Sequence, residues 1–166
     1  MPLNRAFIGR SYPAPGTYEV SREKIRDFAV AIGDPQPAYV DPEAARALGH
    51  ADVIAPPTFL TTLGFRFPTA SPIADPELGL NYALVVHGEQ HYTHHRPVRA
   101  GDVLTVTTRV DDIRDAGRNE LMVLVAEIST ADGERVADAR STVVSRGTAA
   151  PPPAPAAADP SDGAEA

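Results

Sequence analysis

Between residues 83 and 145 the chain offers four strand-length runs in succession with no helical pattern between them. They are Ala83 to His95, Val103 to Ile113, Glu120 to Ser129 and Arg135 to Ser145. Each alternates apolar and polar positions, and Asp111 to Asn119 and Asp132-Gly133 supply turns between the last three. Strands joined in this way build an antiparallel sheet, and everything helical lies ahead of it. After an extended opening segment, Ser21 is placed to cap a helix from Arg22 to about Ile32, with Ile25, Phe28, Ala29 and Ile32 along one face. Gly33 and Asp34-Pro35 stop that helix. Asp41 caps a short helix that begins with Pro42, runs to Leu48 and ends at Gly49. A third helix is expected to start at Pro57 or Thr58 and to carry Phe59, Leu60, Leu63 and Phe67. A loop rich in Pro and Ala, Pro68 to Leu80, then leads into the strands. Helices followed by a run of strands define an α+β domain.

Composition limits what such a domain can do. A chain of 166 residues closes one core, so residues 1–147 are expected to form a single domain. From 148 to 166 the sequence becomes a Pro/Ala-rich tail with almost nothing to bury, expected to stay disordered. The net charge is −7, and the chain stays acidic without the tail carboxylates of Asp159, Asp162 and Glu165. No clustered basic surface for nucleic acid is evident. There is no Cys, which excludes disulfides and thiolate chemistry and fits a reducing compartment. No signal-peptide pattern and no membrane-length apolar run is present, so a cytoplasmic, soluble protein is expected.

Two blocks of sequence carry the chemistry. The first is Gly33-Asp34-Pro35-Gln36-Pro37-Ala38-Tyr39, an irregular segment fixed by glycine and proline that presents a carboxylate and a phenol. The second is Arg96-Pro97-Val98-Arg99-Ala100-Gly101-Asp102-Val103-Leu104, leading into a strand. The first resembles the Gly-Asp-x-Asn-Pro-x-His signature of MaoC-type dehydratases, with Tyr39 in place of the histidine. The second resembles the same family's "hrPv-aGD-L" block. Together with Tyr18 to Arg26 and Ala55-Pro56-Pro57-Thr58-Phe59, the resemblance spans about Tyr18 to Arg146. Within the family the chain looks most like the non-catalytic partner subunit of actinobacterial (3R)-hydroxyacyl-carrier-protein dehydratases. The resemblance implies a hotdog fold, in which a curved antiparallel sheet wraps around a central helix.

It also implies a reaction, the removal or addition of water across the α,β bond of an acyl thioester. That chemistry needs a base, an acid and a donor for the thioester oxygen. Asp34 stands where the family has its Asp. Tyr39 stands where it has its His, and a phenol of pKa about 10 is a poor base near neutrality. In the family a backbone N–H within Ile-Ala-His-Gly faces the thioester oxygen. Here the matching residues are Ile54-Ala55-Pro56-Pro57, and proline has no N–H to donate. The resemblance therefore implies an acyl-binding, non-catalytic subunit of a heterodimeric dehydratase acting in fatty-acid elongation. Its partner would be a catalytic MaoC-like subunit, its substrate a carrier-protein or coenzyme A thioester, and it would use no cofactor. Pro57, Phe59, Leu63 and Phe67 are the expected substrate-binding wall. Two other readings stay open: a homodimeric enoyl-thioester hydratase that uses Asp34 with a substitute base such as His87, and a non-enzymatic acyl-thioester binder.

Plainer roles stand beside these. Asp34 reads equally as a turn residue, Tyr39 as a packing residue with its hydroxyl bonded, and Asp41 as a helix cap. Strict alternation puts His87, His91 and His95 on one face of their strand, about 13 Å apart per four residues, with His94 opposite. That spacing suits no metal, and none is expected.

Overall fold

The computed structural model describes residues 1–34 and 36–150. In chain order the regular elements are β1 (Ser11–Pro13), β2 (Tyr18–Glu19), α1 (Arg22–Ala31), α2 (Pro37–Val40), α3 (Pro42–Ala47) and α4 (Thr61–Arg66). Four long strands follow: β3 (Val85–His94), β4 (Val103–Ala116), β5 (Asn119–Thr130) and β6 (Arg135–Ser145). All pairings are antiparallel, in the order β1-β4-β5-β6-β3, with β2 also on β4. Register shifts at Gly88 of β3, Asp111 of β4 and Val136 of β6 mark bulges, which bend the strands and curve the sheet around α4.

The helix signals work as read, with local corrections. The Ser21 hydroxyl accepts from Lys24 N and the Asp41 carboxylate from Glu43 N, so both caps are in place. Ile25 and Ala29 are buried, but Ile32 is left exposed, because α1 ends at Ala31 and Ile32 caps it. The signature segment is not all loop, since Pro37–Val40 forms one helical turn. The helix expected from Pro57 is shorter: Pro57 to Leu60 are turns and only Thr61–Arg66 is helical. The β4–β5 turn shrinks to Gly117-Arg118, because Asp111, Asp112, Arg114 and Asp115 are polar positions of a longer β4.

Two clusters fill one face of the sheet. The first gathers Ile25, Phe59, Leu60, Leu63 and Phe67 over Leu104, Val106, Ile128 and Ala137. The second gathers Leu3, Phe7 and Leu78 over Val110, Ile113, Met122, Leu124 and Val143. The six residues of α4 cover only one half of the face, and the opening segment of the chain covers the other. Leu3 N donates to the buried Glu120 carboxylate at 2.9 Å and fixes that segment to β5. Past the last strand, Thr148 is buried and Ala149 N donates to Arg118 O, so the chain still holds to the domain there. The Pro/Ala-rich tail from Pro151 on lies outside the described residues. Among the described residues no helix is long and apolar enough to cross a membrane.

Candidate functional site

The signature segment is built by backbone bonding. Gly33 takes the left-handed conformation, φ 74°, that ends α1. Asp34 N returns to Ala29 O at 2.9 Å, and Gln36 N and Tyr39 N donate to Asp34 O and Gln36 O. This folds Asp34 and Tyr39 toward each other. The Tyr39 ring packs against the α4 cluster. Burial pushes its phenol above the ordinary tyrosine range, and the Asp34 carboxylate pushes it the same way. The pair can hold a neutral phenol beside a carboxylate, which leaves no base matched to neutral pH at the Tyr39 position.

The segment ahead of α4 is tied to this loop. Ile54 N donates to Ala38 O at 3.1 Å, and Ala55 N to Val98 O at 2.7 Å. Pro57 then projects an exposed turn. Its carbonyl accepts a hydrogen bond from His94 Nε2 at 2.9 Å, and one turn on Thr61 Oγ1 meets Tyr92 Oη at 2.6 Å. Two side chains of β3 thus clip the start of α4. Alternation along β3 puts residues 92 and 94 on one face, the one signal in the sequence that pairs them.

The remaining candidates fall into the core. Phe59 has 0% of its surface exposed, Leu63 and Phe67 are buried, and Phe28 meets Phe59 edge-on at 5.4 Å. Two shallow, open pockets of about 360 and 180 Å³ border none of them. Both are lined by Arg96 and Arg99, on either side of the loop between β3 and β4. Arg96 there spans Asp102 at 2.7 Å and Glu134 at 2.9 Å, and Asp102 also accepts from Arg99 N. These bonds hold the Arg96 guanidinium firmly charged and lower the Glu134 carboxyl. The Ala100-Gly101-Asp102 block is therefore a clamp between the β3–β4 and β5–β6 connections.

The histidines do not share a face as strict alternation required. Gly88 is the extra residue of a bulge, so His87 pairs with Val143 while Glu89 pairs with Thr142. His87 thereby joins His94 on the inner face, in the row of Ile113, Met122 and Val143, and His91 turns outward beside Arg140. A side chain at Gly88 would meet Val144 Cγ2 at 3.0 Å, which explains the glycine. The register leaves His87 in the half of the face covered by the second cluster, whereas Tyr39 packs on the first. His95 Nε2 is spent on Asp138 at 2.9 Å. Among the described residues no three His, Asp or Glu side chains form a metal-holding group.

A small curved sheet around a short helix, with an Asp on the loop after α1, defines a hotdog domain of the dehydratase and hydratase class. Residues 6–139 match the model of the FAS1-like dehydratase domain region, and the chain belongs to that family. A UPF0336 protein of Saccharopolyspora erythraea is 53% identical over 152 residues, 92% of this chain and 97% of its own. Among solved structures, the HadBC (3R-hydroxyacyl-ACP dehydratase) complex of Mycobacterium tuberculosis superposes with a TM-score of 0.72 at 28% identity. The match covers 83% of this chain and 96% of that one. A MaoC-like dehydratase superposes with a TM-score of 0.76 at 30% identity, over 85% of this chain but 42% of the other. The MaoC-like hotdog fold implied by the signature is the fold of this protein.

Proposed function

We propose that this chain is the acyl-binding, non-catalytic subunit of a heterodimeric (3R)-hydroxyacyl-thioester dehydratase acting in fatty-acid elongation. One observation carries the reading: the signature loop is built and closed, yet it presents Tyr39, with a raised pKa, where the reaction needs a base. Pro57 adds to it, because loss of one thioester-oxygen donor costs about 10²–10³ in rate. The similar solved structures support the pairing. One is a complex, and the other is a chain of which the match spans less than half. The partner is a MaoC-like subunit with an intact Gly-Asp-x-Asn-Pro-x-His, and the substrate arrives on acyl-carrier protein or coenzyme A. Pro57 forms the rim of the acyl wall, with Phe59, Leu63 and Phe67 as its buried backing. Asp34 and Tyr39 are remnants of the family's acid/base pair.

Hydration of an enoyl thioester by the isolated chain and by the complex tests this. The complex turns over and the isolated chain does not, and Asp34→Asn in this chain leaves the complex within a few fold. Robust turnover by the isolated chain, abolished by Asp34→Asn, would restore the homodimeric hydratase. Acyl-thioester binding with no partner would restore the binder.

A further inference from the structure

The inner face of the sheet is covered unequally. Helix α4 is pinned over one half by the clip from Tyr92 and His94. Over the other half lies a strap, Leu3 to Ile8, which brings down two buried side chains, Leu3 and Phe7. The strap ends at Gly9, whose N–H donates to Val110 O, and β1 just beyond is paired to β4.

Under the strap a polar pair is sealed. Glu120 and Ser145 stand opposite each other on β5 and β6, and both are 0% exposed. Leu3 N donates to Glu120 Oε2, but Glu120 Oε1 and Ser145 Oγ have no hydrogen-bond partner among the described residues. On its other side Glu120 stands opposite Asp115, a second acidic residue, in the β4–β5 register. A carboxyl group sealed with a single bond favours any motion that returns it to water. The closed strap is therefore weaker than its two apolar side chains imply, and such segments are the ones that open locally.

The face beneath the strap continues the acyl wall. Between the two clusters Thr108 stands opposite Ala126 and Ala126 opposite Ala139, a row of small side chains across three strands. From Ile128 in the first cluster to Met122 in the second, the apolar face of β5 runs about 20 Å. Phe59, Leu63 and Phe67 are packed and neither pocket borders them, so within this chain an acyl tail reaches that face by moving a cover.

We propose that the strap is a lid for long acyl tails. It swings out at Gly9, the far part of the tail replaces Leu3 and Phe7 over Val110, Met122 and Val143, and Glu120 and Ser145 return to water. The proposal rests on the acyl-binding reading above. It makes the lid a chain-length filter, because a short acyl group ends before the strap.

Butyryl- and palmitoyl-coenzyme A, both saturated and so inert to hydration, test the lid on the full chain, alone and with a MaoC-like catalytic subunit. Amide exchange by NMR reads the strap at Asn4 and Phe7, whose N–H groups donate to Leu78 O and Asn4 O. Palmitoyl-coenzyme A is expected to speed exchange there about tenfold or more, and butyryl-coenzyme A to bind without that effect. Glu120→Gln keeps the acceptor for Leu3 N and adds a donor for Ser145 Oγ. Exchange at both amides is then expected to slow and palmitoyl affinity to fall about tenfold, with butyryl affinity unchanged. Leu3→Ala is expected to move both in the opposite direction. Three results overturn the lid and leave the acyl-binding reading standing: palmitoyl binding with the strap still protected, exchange unchanged in Glu120→Gln, or slower exchange there with palmitoyl affinity unchanged. Failure of both ligands to bind, with or without the subunit, removes that reading and the lid with it.

Discussion

At the scale of single residues, a phenol at position 39 and a proline at position 57 are two separate departures from the MaoC signature. Tyr39→His alone is expected to leave the isolated chain inactive in an enoyl-thioester hydration assay, because Pro57 still offers no N–H. Turnover appearing on that single change would show that the donor is supplied elsewhere. The phenol itself gives a second check. A raised folded-state pKa means that the neutral form is favoured by folding, so its contribution is complete below about pH 10 and is lost as pH rises through the folded pKa. The tyrosinate absorbance lost in Tyr39→Phe is therefore expected to develop only above pH 10. A component lost at pH 8 or 9 would make Tyr39 an available acid. Asp102 is a different matter. It is buried and takes three hydrogen bonds from Arg96 and Arg99, so Asp102→Ala leaves Arg96 under-compensated. Urea unfolding is expected to show a loss of about 3 kcal/mol. A loss under 1 kcal/mol would show that Glu134 alone suffices.

At the scale of elements, the strands and caps were legible because their signals are local. Ser21, Asp41 and the alternation of β4 to β6 each say the same thing as the fold. What alternation does not report is a bulge. One extra residue at Gly88 inverts every later assignment of face, and so His87 and His94 came out on opposite sides when they share one. The length of α4 was also hidden. Apolar spacing from Phe59 to Phe67 fits a helix, yet two prolines and the turns they favour hold residues 57 to 60 out of it. The candidate site was legible as chemistry, in Asp34, Tyr39 and Pro57, but the clip from Tyr92 and His94 depends on tertiary register. Gly88→Val brings a side chain to within 3.0 Å of Val144 and 3.3 Å of the Thr142 carbonyl. Overpacking of that kind is expected to lower stability by about 1–3 kcal/mol. A neutral result in thermal unfolding would mean that β3 shifts freely at its edge. Leu63→Ala, in contrast, empties a packed position and is expected to cost about 2–5 kcal/mol.

At the scale of the whole molecule, the sheet ends among the described residues on the long strand β3 at one side and the short strands β1 and β2 at the other, and its core lies on one face. Under the proposed function, sedimentation of the chain with a catalytic MaoC-like subunit at micromolar concentration is expected to give one species of summed mass. A chain that remains a monomer beside such a subunit would end the heterodimer reading. Assembly of the single chain also has an order in time. Ser11 pairs with Arg109, and Leu3 N reaches Glu120, a separation of 117 residues. Contacts of that span are slow to form. At ordinary synthesis rates of ~5–20 residues per second, the segment around Leu3 and Phe7 leaves the ribosome roughly ten seconds before the strands that will hold it. During that interval two of the core's apolar side chains have no sheet to cover, so a stretch made well ahead of its partners waits for them before it is folded into place.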